Sequence, residues 1–424
     1  MNAGAGLACG RQMMEDGRMS KRFDSAATLP KFAWASMALL IALFAAAAPA
    51  QITGYPAGAV RAPQLPHPGR GSGITWINSP PLSMKQLRGQ VVLVDFWEYT
   101  CINCIRTLDT NKRWYRLYHR YGFTILGVHD PEFDIAFEGK DARRFQRDPR
   151  AAVAASHGTS KVDNVRRAVR NFGLAYPVVV DDFFKIWRAY DNQYWPNRFL
   201  IDARGYLRYN VIGEGGDGPL EAAIQRLLRE AHPGLKFPGG DAVHDEAPGY
   251  GPGCGDTTAE MYIGNWEGRG VLVNAYHPGK THRYRLPARI ADGRAGLSGS
   301  WQTDRNGMIY RGRGQPGPQA GRLAMRYHAR EIYAVLNVAH GHPERVYLLQ
   351  DGRALPKTAA GEDVRYDAHG RSYIFVRASR LYYLATNPAI GEHRLELLPT
   401  APGFTVNSFT FGNNCQLHFS HLKG

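Results

Sequence analysis

Residues 96–106 read FWEYTCINCIR, two cysteines three positions apart directly behind an apolar run. Three chemistries use such a pair. A zinc site needs four ligands, commonly a second cysteine pair or two spaced histidines. The nearest histidines, His119, His129 and His157, have no ligand-like spacing, so zinc is set aside. A structural disulfide across three residues closes so small a loop that it hardly constrains the unfolded chain. A redox disulfide remains, and the flanking pattern suits it. VVLVDFW (91–97) is a continuous apolar run, as in a strand covered on both faces. From Cys101 onward, Ile105, Leu108, Trp114, Tyr115 and Tyr118 recur at helical spacing. Side chains three apart in a first helical turn share a face, with Cβ atoms about 5–6 Å apart, which a disulfide spans after small adjustment. Cys101 then stands at the positive end of the helix, where unbonded N–H groups favour a thiolate. It is the expected nucleophile, and Cys104, one turn in, the expected resolving thiol.

Working outward, FTILGV (123–128) is a second buried strand, and strand–helix–strand implies a right-handed parallel crossover. Residues 134–172 read as mainly helical and basic. From Asp141 to Arg170 they hold eight Lys/Arg against three Asp. YPVVVDD (176–182) follows, then a short helix around Phe184–Tyr190 and YWPNRFLIDARGYLRYNVIGEG (194–215), an alternating hairpin turning at Asp202–Gly205. A helix over Pro219–Ala231 closes the unit. His232–Gly255 is Pro/Gly-rich and reads as a linker. Beyond it come short alternating strands with glycine turns and almost no helical periodicity, which suggests an all-β sandwich of jelly-roll type.

The chain has 424 residues, more than one ordinary domain, and its 44% hydrophobic and 21% charged residues are globular, not disordered. The 52 Lys+Arg against 37 Asp+Glu give +15. No nucleic-acid motif accompanies that charge, so no nucleic acid is expected as a partner and the charge reads first as a surface property. Near the N-terminus, Lys21, Arg22 and Lys31 precede an apolar run from Phe32 to Ala50 that ends Ala48-Pro49-Ala50. Such a pattern describes an export signal peptide or a retained single-span anchor. Either way, the protein after residue 50 is expected in the periplasm or otherwise outside the cytoplasm. Residues 51–73, rich in Pro and Gly, read as a flexible tether. In an oxidising compartment the four cysteines after Cys9 could all be paired. Cys254 opens the β domain and Cys415 closes it, and a structural Cys254–Cys415 disulfide is expected there, stabilising by up to roughly 5 kcal/mol.

VDFW followed by CINC resembles the active-site strand and motif of the thioredoxin fold, and YWPNRFLID is similar to the signature of exported TlpA/ResA-type proteins. The resemblance implies that Asp95, six residues before Cys101, exchanges a proton with Cys104, its pKa raised by burial. It implies that Trp97 shields the dithiol and that Pro196 is a cis-proline facing it. Trp195, just before, would then offer its backbone to an extended substrate. FWEYTCINCIRTL, GVHDPEF, NVRRAV, YPVVVDD and GEG together resemble the extracytoplasmic part of DipZ-type proteins. There a TlpA-like thioredoxin domain precedes a carbohydrate-binding-module-like β domain. The C-terminal stretches AEMYIG, LSGSWQ, YHAREIYAVLNV and FTFGNN agree with that pattern. The expected architecture is therefore an α/β thioredoxin-like domain over 74–231, a linker over 232–253, and an all-β jelly-roll domain over 254–424. In that fold Glu98, His129 and Glu132 lie near the carboxyl ends of adjacent strands, where a charged group would tune the dithiol or meet substrate.

The expected activity is that of an exported thiol–disulfide oxidoreductase, a reductase of protein disulfides by analogy with TlpA-like relatives. No cofactor is required, since the dithiol carries the electrons. This sequence departs from the DipZ type in lacking a multi-span membrane domain and in its extra basic segment near Glu138–Ser160. Electrons would then come from a separate membrane donor of the DsbD or CcdA kind. Two alternatives stand beside this one. A thiol peroxidase of the peroxiredoxin type needs its nucleophile in a P-x-x-x-T-x-x-C context, which FWEYTC lacks. A glycan- or protein-binding module with a vestigial dithiol would place the function in the β domain. Its Tyr262, Trp266, Trp301 and Tyr310 are more simply core, and the pair His340/His342 is broken by Gly341 and Pro343, so no metal is assigned.

Overall fold

The computed structural model describes residues 51–69, 71–133, 159–237, 256–264, 270–313, 321–338 and 343–413. The export segment, Cys254, Cys415, Trp266, His157, the His340/His342 pair and most of the basic segment lie outside the described residues.

The N-terminal unit is a seven-stranded sheet. Its strands are β1 (Gln51–Gly54), β2 (Ile74–Ile77), β3 (Val91–Trp97), β4 (Phe123–His129), β5 (Val178–Asp181), β6 (Asn197–Ile201) and β7 (Leu207–Ile212), in the spatial order β1-β7-β6-β3-β4-β5-β2. The helices are α1 (Ile102–Tyr118), α2 (Thr159–Asn171), α3 (Lys185–Ala189) and α4 (Asp217–Ala231). All seven residues of β3 are buried, which explains its unbroken apolar run. It runs parallel to β4 and antiparallel to β6, so the strand that delivers the cysteines lies mid-sheet. Leu93, Trp97, Leu108, Trp114, Ile125, Leu200 and Ile224 share one apolar core. The expected hairpin is β6–β7, turning at Asp202–Gly205, where Gly205 takes a positive φ and Asp202 Oδ1 accepts from the Arg204 and Tyr206 N–H groups.

One expectation needs correction. Residues 51–69 are no loose tether: β1 pairs along the edge of β7, Arg61 bridges Tyr206, and Ala62 and Leu65 are buried in the core. The apolar anchors and the ladder hydrogen bonds offset the ordering cost that a Pro/Gly-rich composition would otherwise leave unmet.

The C-terminal unit is all-β. Its strands are β8 (Met261–Tyr262), β9 (Thr281–Tyr284), β10 (Arg294–Thr303), β11 (Met308–Tyr310), β12 (Arg322–Val338), β13 (Glu344–Gln350), β14 (Val364–Tyr366), β15 (Ser372–Val376), β16 (Arg380–Pro399) and β17 (Phe404–Gly412). They form a ten-stranded sheet whose ladders are antiparallel, with the path β14-β15-β13-β16-β12-β10-β11-β17-β8 and β9 on β10. Trp301, Tyr327, Leu336, Phe404 and Phe409 fill its core. Asp351-Gly352 forms a two-residue turn with both φ positive, the geometry a type I′ turn requires. RLAMRYHAR and IYAVLNV, which read as two strands, are the single strand β12. LYYLAT and HRLELLP likewise join into β16. Both stay continuous because a register shift between Ala329 and Glu331 absorbs the break in alternation.

Candidate active site

The two cysteines stand where β3 ends and α1 begins. Cys101 has an extended backbone (φ −87°, ψ 111°) and caps the helix, its Sγ accepting from the Cys104 N–H at 3.4 Å. A sulfur in that position faces the orphan amides of the first turn, which stabilise a thiolate. Cys101 is only 6% exposed and Cys104 is fully buried.

Asp95 lies on β3, six residues before Cys101, and is completely buried. Burial pushes its carboxyl up to about 7, although the Arg198 charge and a 2.9 Å hydrogen bond from Asn111 Nδ2 pull the other way. Arg198, itself buried, is held by Asp217 at 2.7 Å and by the Gly215 carbonyl at 2.6 Å. A group that titrates near neutrality inside a core beside a dithiol can take up and return a proton at physiological pH. Asn111 and Arg198 went unnoticed in the sequence. Asn111 is a polar residue on the buried face of α1, a signal that could have marked it.

The Trp195–Pro196 peptide bond is cis, at the entry to β6. The Trp195 ring is buried against Trp187, with centroids 4.3 Å apart. Asp130, just after β4, is fully buried, and burial and the Asp181 charge drive its carboxyl well up. Trp97 is wholly buried, edge-on to His129 and Phe172, and shares the core that holds both cysteines.

Glu98 and His129 meet: Oε1 lies 3.3 Å from Nε2, and both side chains are buried. The Glu98 carboxylate accepts from the Thr100 N–H and hydroxyl, shaping the turn into Cys101, and Tyr99 stacks on the His129 ring. Glu132 is placed elsewhere. It accepts from the Tyr262 hydroxyl at 2.6 Å, on the seam between the two units.

That seam was not foreseen. Ile102 and Ile105 of α1, with Phe133, pack against Tyr333, Val335, Leu381 and Tyr383 of the β unit. Arg106 bridges the two, 3.1 Å from Glu214 and 3.5 Å from Glu331, and Glu331 also accepts from Tyr383 at 2.8 Å. The residue between the cysteines and the one just after the pair are therefore covered by the second unit. A charge inside the apolar strand HAREIYAVLNV, Glu331, was the available signal.

The chain is similar to several known proteins. Residues 258–412 match the family described as the thioredoxin like C-terminal domain. Protein DipZ of Mycobacterium bovis is 31% identical over 349 residues, 80% of this chain and 42% of DipZ, and that of Mycobacterium tuberculosis gives the same figures. The chain thus spans less than half the length of these curated relatives. The thiol-disulfide oxidoreductase ResA of Bacillus anthracis is 25% identical over 154 residues, 36% of this chain and 73% of ResA. A solved thiol:disulfide interchange protein of the thioredoxin family from Chlorobium tepidum aligns with 41% of this chain and 99% of its own, at 19% identity and TM-score 0.30. The chain is thus similar to DipZ over most of its length and to ResA over its N-terminal unit, and its residues 258–412 match the thioredoxin like C-terminal domain.

Proposed function

We propose that the protein is an exported thiol–disulfide oxidoreductase that reduces protein disulfides through Cys101 and Cys104. The observation that carries this reading is the pair itself: Cys101 at the helix cap and Cys104 one turn in, both in the core that Asp95 backs. The Cys101 thiolate attacks one sulfur of a substrate disulfide, forming a mixed disulfide and releasing a substrate thiolate. Cys104 gives its proton to the Asp95 carboxylate and attacks the Cys101 sulfur. The second substrate thiolate leaves and takes up a proton. Two electrons have passed to the substrate, and the protein holds a Cys101–Cys104 disulfide. A separate membrane dithiol donor restores it. The cis-Pro196 segment, with Trp195, forms the opposing wall on which an extended substrate strand lies. Glu98 and His129 fix the turn that presents Cys101. A first domain that reaches back from the expected start at 74 to Gln51, a second over 254–424, and a jelly-roll, carbohydrate-binding-module-like character for the second unit belong to the same reading.

Insulin reduction by the full chain tests it. Cys101→Ser is expected to abolish turnover, and wild-type turnover in that variant would overturn the proposal. The potential of the couple sets direction: a value near that of thioredoxin, about −270 mV, fits a reductase, and one near −120 mV an oxidant.

A further inference from the structure

The β unit carries a cavity of about 600 Å³ between β13, β14, β15 and the start of β16. Its walls follow from register. Arg345 of β13 stands opposite Phe375 of β15, and Arg365 of β14 opposite Tyr373, while the alternate residues Val346, Val364, Ile374 and Val376 point into the core. The outer face is thus a lattice of guanidinium groups and rings. Arg345 lies over Tyr373 at 4.3 Å, Arg377 over Phe375 at 4.7 Å and Arg380 over Tyr382 at 3.7 Å. Arg380 is paired with Asp363 at 2.9 Å. Among the described residues no carboxylate lies within ion-pair distance of Arg345, Arg365 or Arg377, although the Asp367 charge acts on Arg345 from farther off, so the cavity keeps a net positive lining.

Two features define what would fit there. The ring faces are already occupied by guanidinium groups, so the wall offers no bare platform for a sugar ring, and offers instead planar donors held flat for carboxylates. The wall also shares strand β16 with the seam beside the α1 start. Along residues 379–383, Arg380 and Tyr382 line the cavity, whereas Leu381 and Tyr383 pack on the seam with Ile102 and Ile105. Ser379 meets the side chain of Tyr99, two residues before Cys101. The Tyr382 hydroxyl donates to the Ala378 carbonyl at 2.8 Å and accepts from the Arg377 N–H at 3.2 Å, which fixes the turn carrying Arg377.

We propose that this cavity binds an acidic segment of the polypeptide whose disulfide the dithiol reduces, so that Arg345, Arg365 and Arg377 select substrates with Asp or Glu near the target cysteine. The assignment rests on the dithiol being the working group. It is tested with disulfide-bridged peptides that differ only in acidic, neutral or basic flanking residues, reduced in single turnover by the pre-reduced full chain. The acidic peptide is expected to react about tenfold faster at low concentration than the neutral one, the size expected of two part-exposed guanidinium–carboxylate pairs. Arg345→Gln/Arg377→Gln removes that preference, and the neutral peptide's rate is unchanged. Equal rates for all three peptides in the wild type overturn the proposal. Binding is read separately by anisotropy of the labelled oxidised peptides on Cys101→Ser. Acidic peptides that bind there through the arginines, with no reduction by the wild type, support the cavity and count against the reductase reading. Polygalacturonate that binds through the same arginines, with no preference among peptides, overturns the proposal in favour of an acidic glycan.

Discussion

Asp95→Asn is the substitution whose effect the structure specifies most fully. The carboxyl rises from its ordinary 3.8 to about 7 because folding removes it from water. A folded-state value above the unfolded one means that the native protein binds the proton more tightly. Stability therefore falls as pH rises from about 4, and the loss is complete once the pH passes about 7. A gap of that width corresponds to about 4 kcal/mol at full ionisation. Asparagine keeps the shape and can still accept the Asn111 hydrogen bond, yet it carries no charge to bury. Asp95→Asn is thus expected to be about 4 kcal/mol more stable than wild type at pH 8, and less than half of that at pH 5. Chemical denaturation at the two pH values, followed by tryptophan fluorescence, measures it. Trp76, Trp97, Trp114, Trp187 and Trp195 all report on the N-terminal unit. The same variant loses its proton acceptor, so the mixed disulfide is released more slowly. A stability difference that is the same at pH 5 and pH 8 would refute the reasoning.

Arg198→Met takes away the charge that restrains Asp95. The pH at which the rate rises should move upward, and Asp217, left with the Thr110 hydroxyl alone, should cost about 1.5–3 kcal/mol for the lost charged hydrogen bond. Leu381→Ala opens the seam beside Ile102 and Ile105. It should destabilise by about 2–5 kcal/mol and speed alkylation of Cys101 by iodoacetamide; an unchanged alkylation rate would show that the seam does not cover the thiol. At Gly361 an added Cβ would run into the Tyr383 carbonyl, so Gly361→Ala should cost about 1–3 kcal/mol, read as a lowered melting temperature.

The legible parts of this molecule are those with a local pattern. β3 announced itself by apolar continuity, α1 by spacing, the β6–β7 hairpin by alternation around Asp202–Gly205, and the cis bond at Pro196 by a motif. What sequence could not supply depended on partners far along the chain. Arg106 meets Glu331 across 225 positions, and neither residue has a local reason to be buried. The joining of β12 and β16 into long strands was hidden for a related reason. Pro388 and Gly391 look like breaks, and the β12 ladder does skip residues 387–390, but it resumes at Gly391, so one strand holds both halves. Residues 51–69 were misread because composition speaks for flexibility, whereas their two anchors, Ala62 and Leu65, are too sparse to show periodicity.

Those anchored residues bear on reach. A loose segment of this length would let its domain wander roughly 25 Å from its point of attachment. Laid along β7 and pinned at Ala62 and Leu65, it contributes almost none of that slack. Whatever holds the chain ahead of Gln51 therefore sets the heading of the dithiol as well as its position. For the proposed exchange with a separate donor, encounters would then be governed by orientation, with little search by a swinging arm.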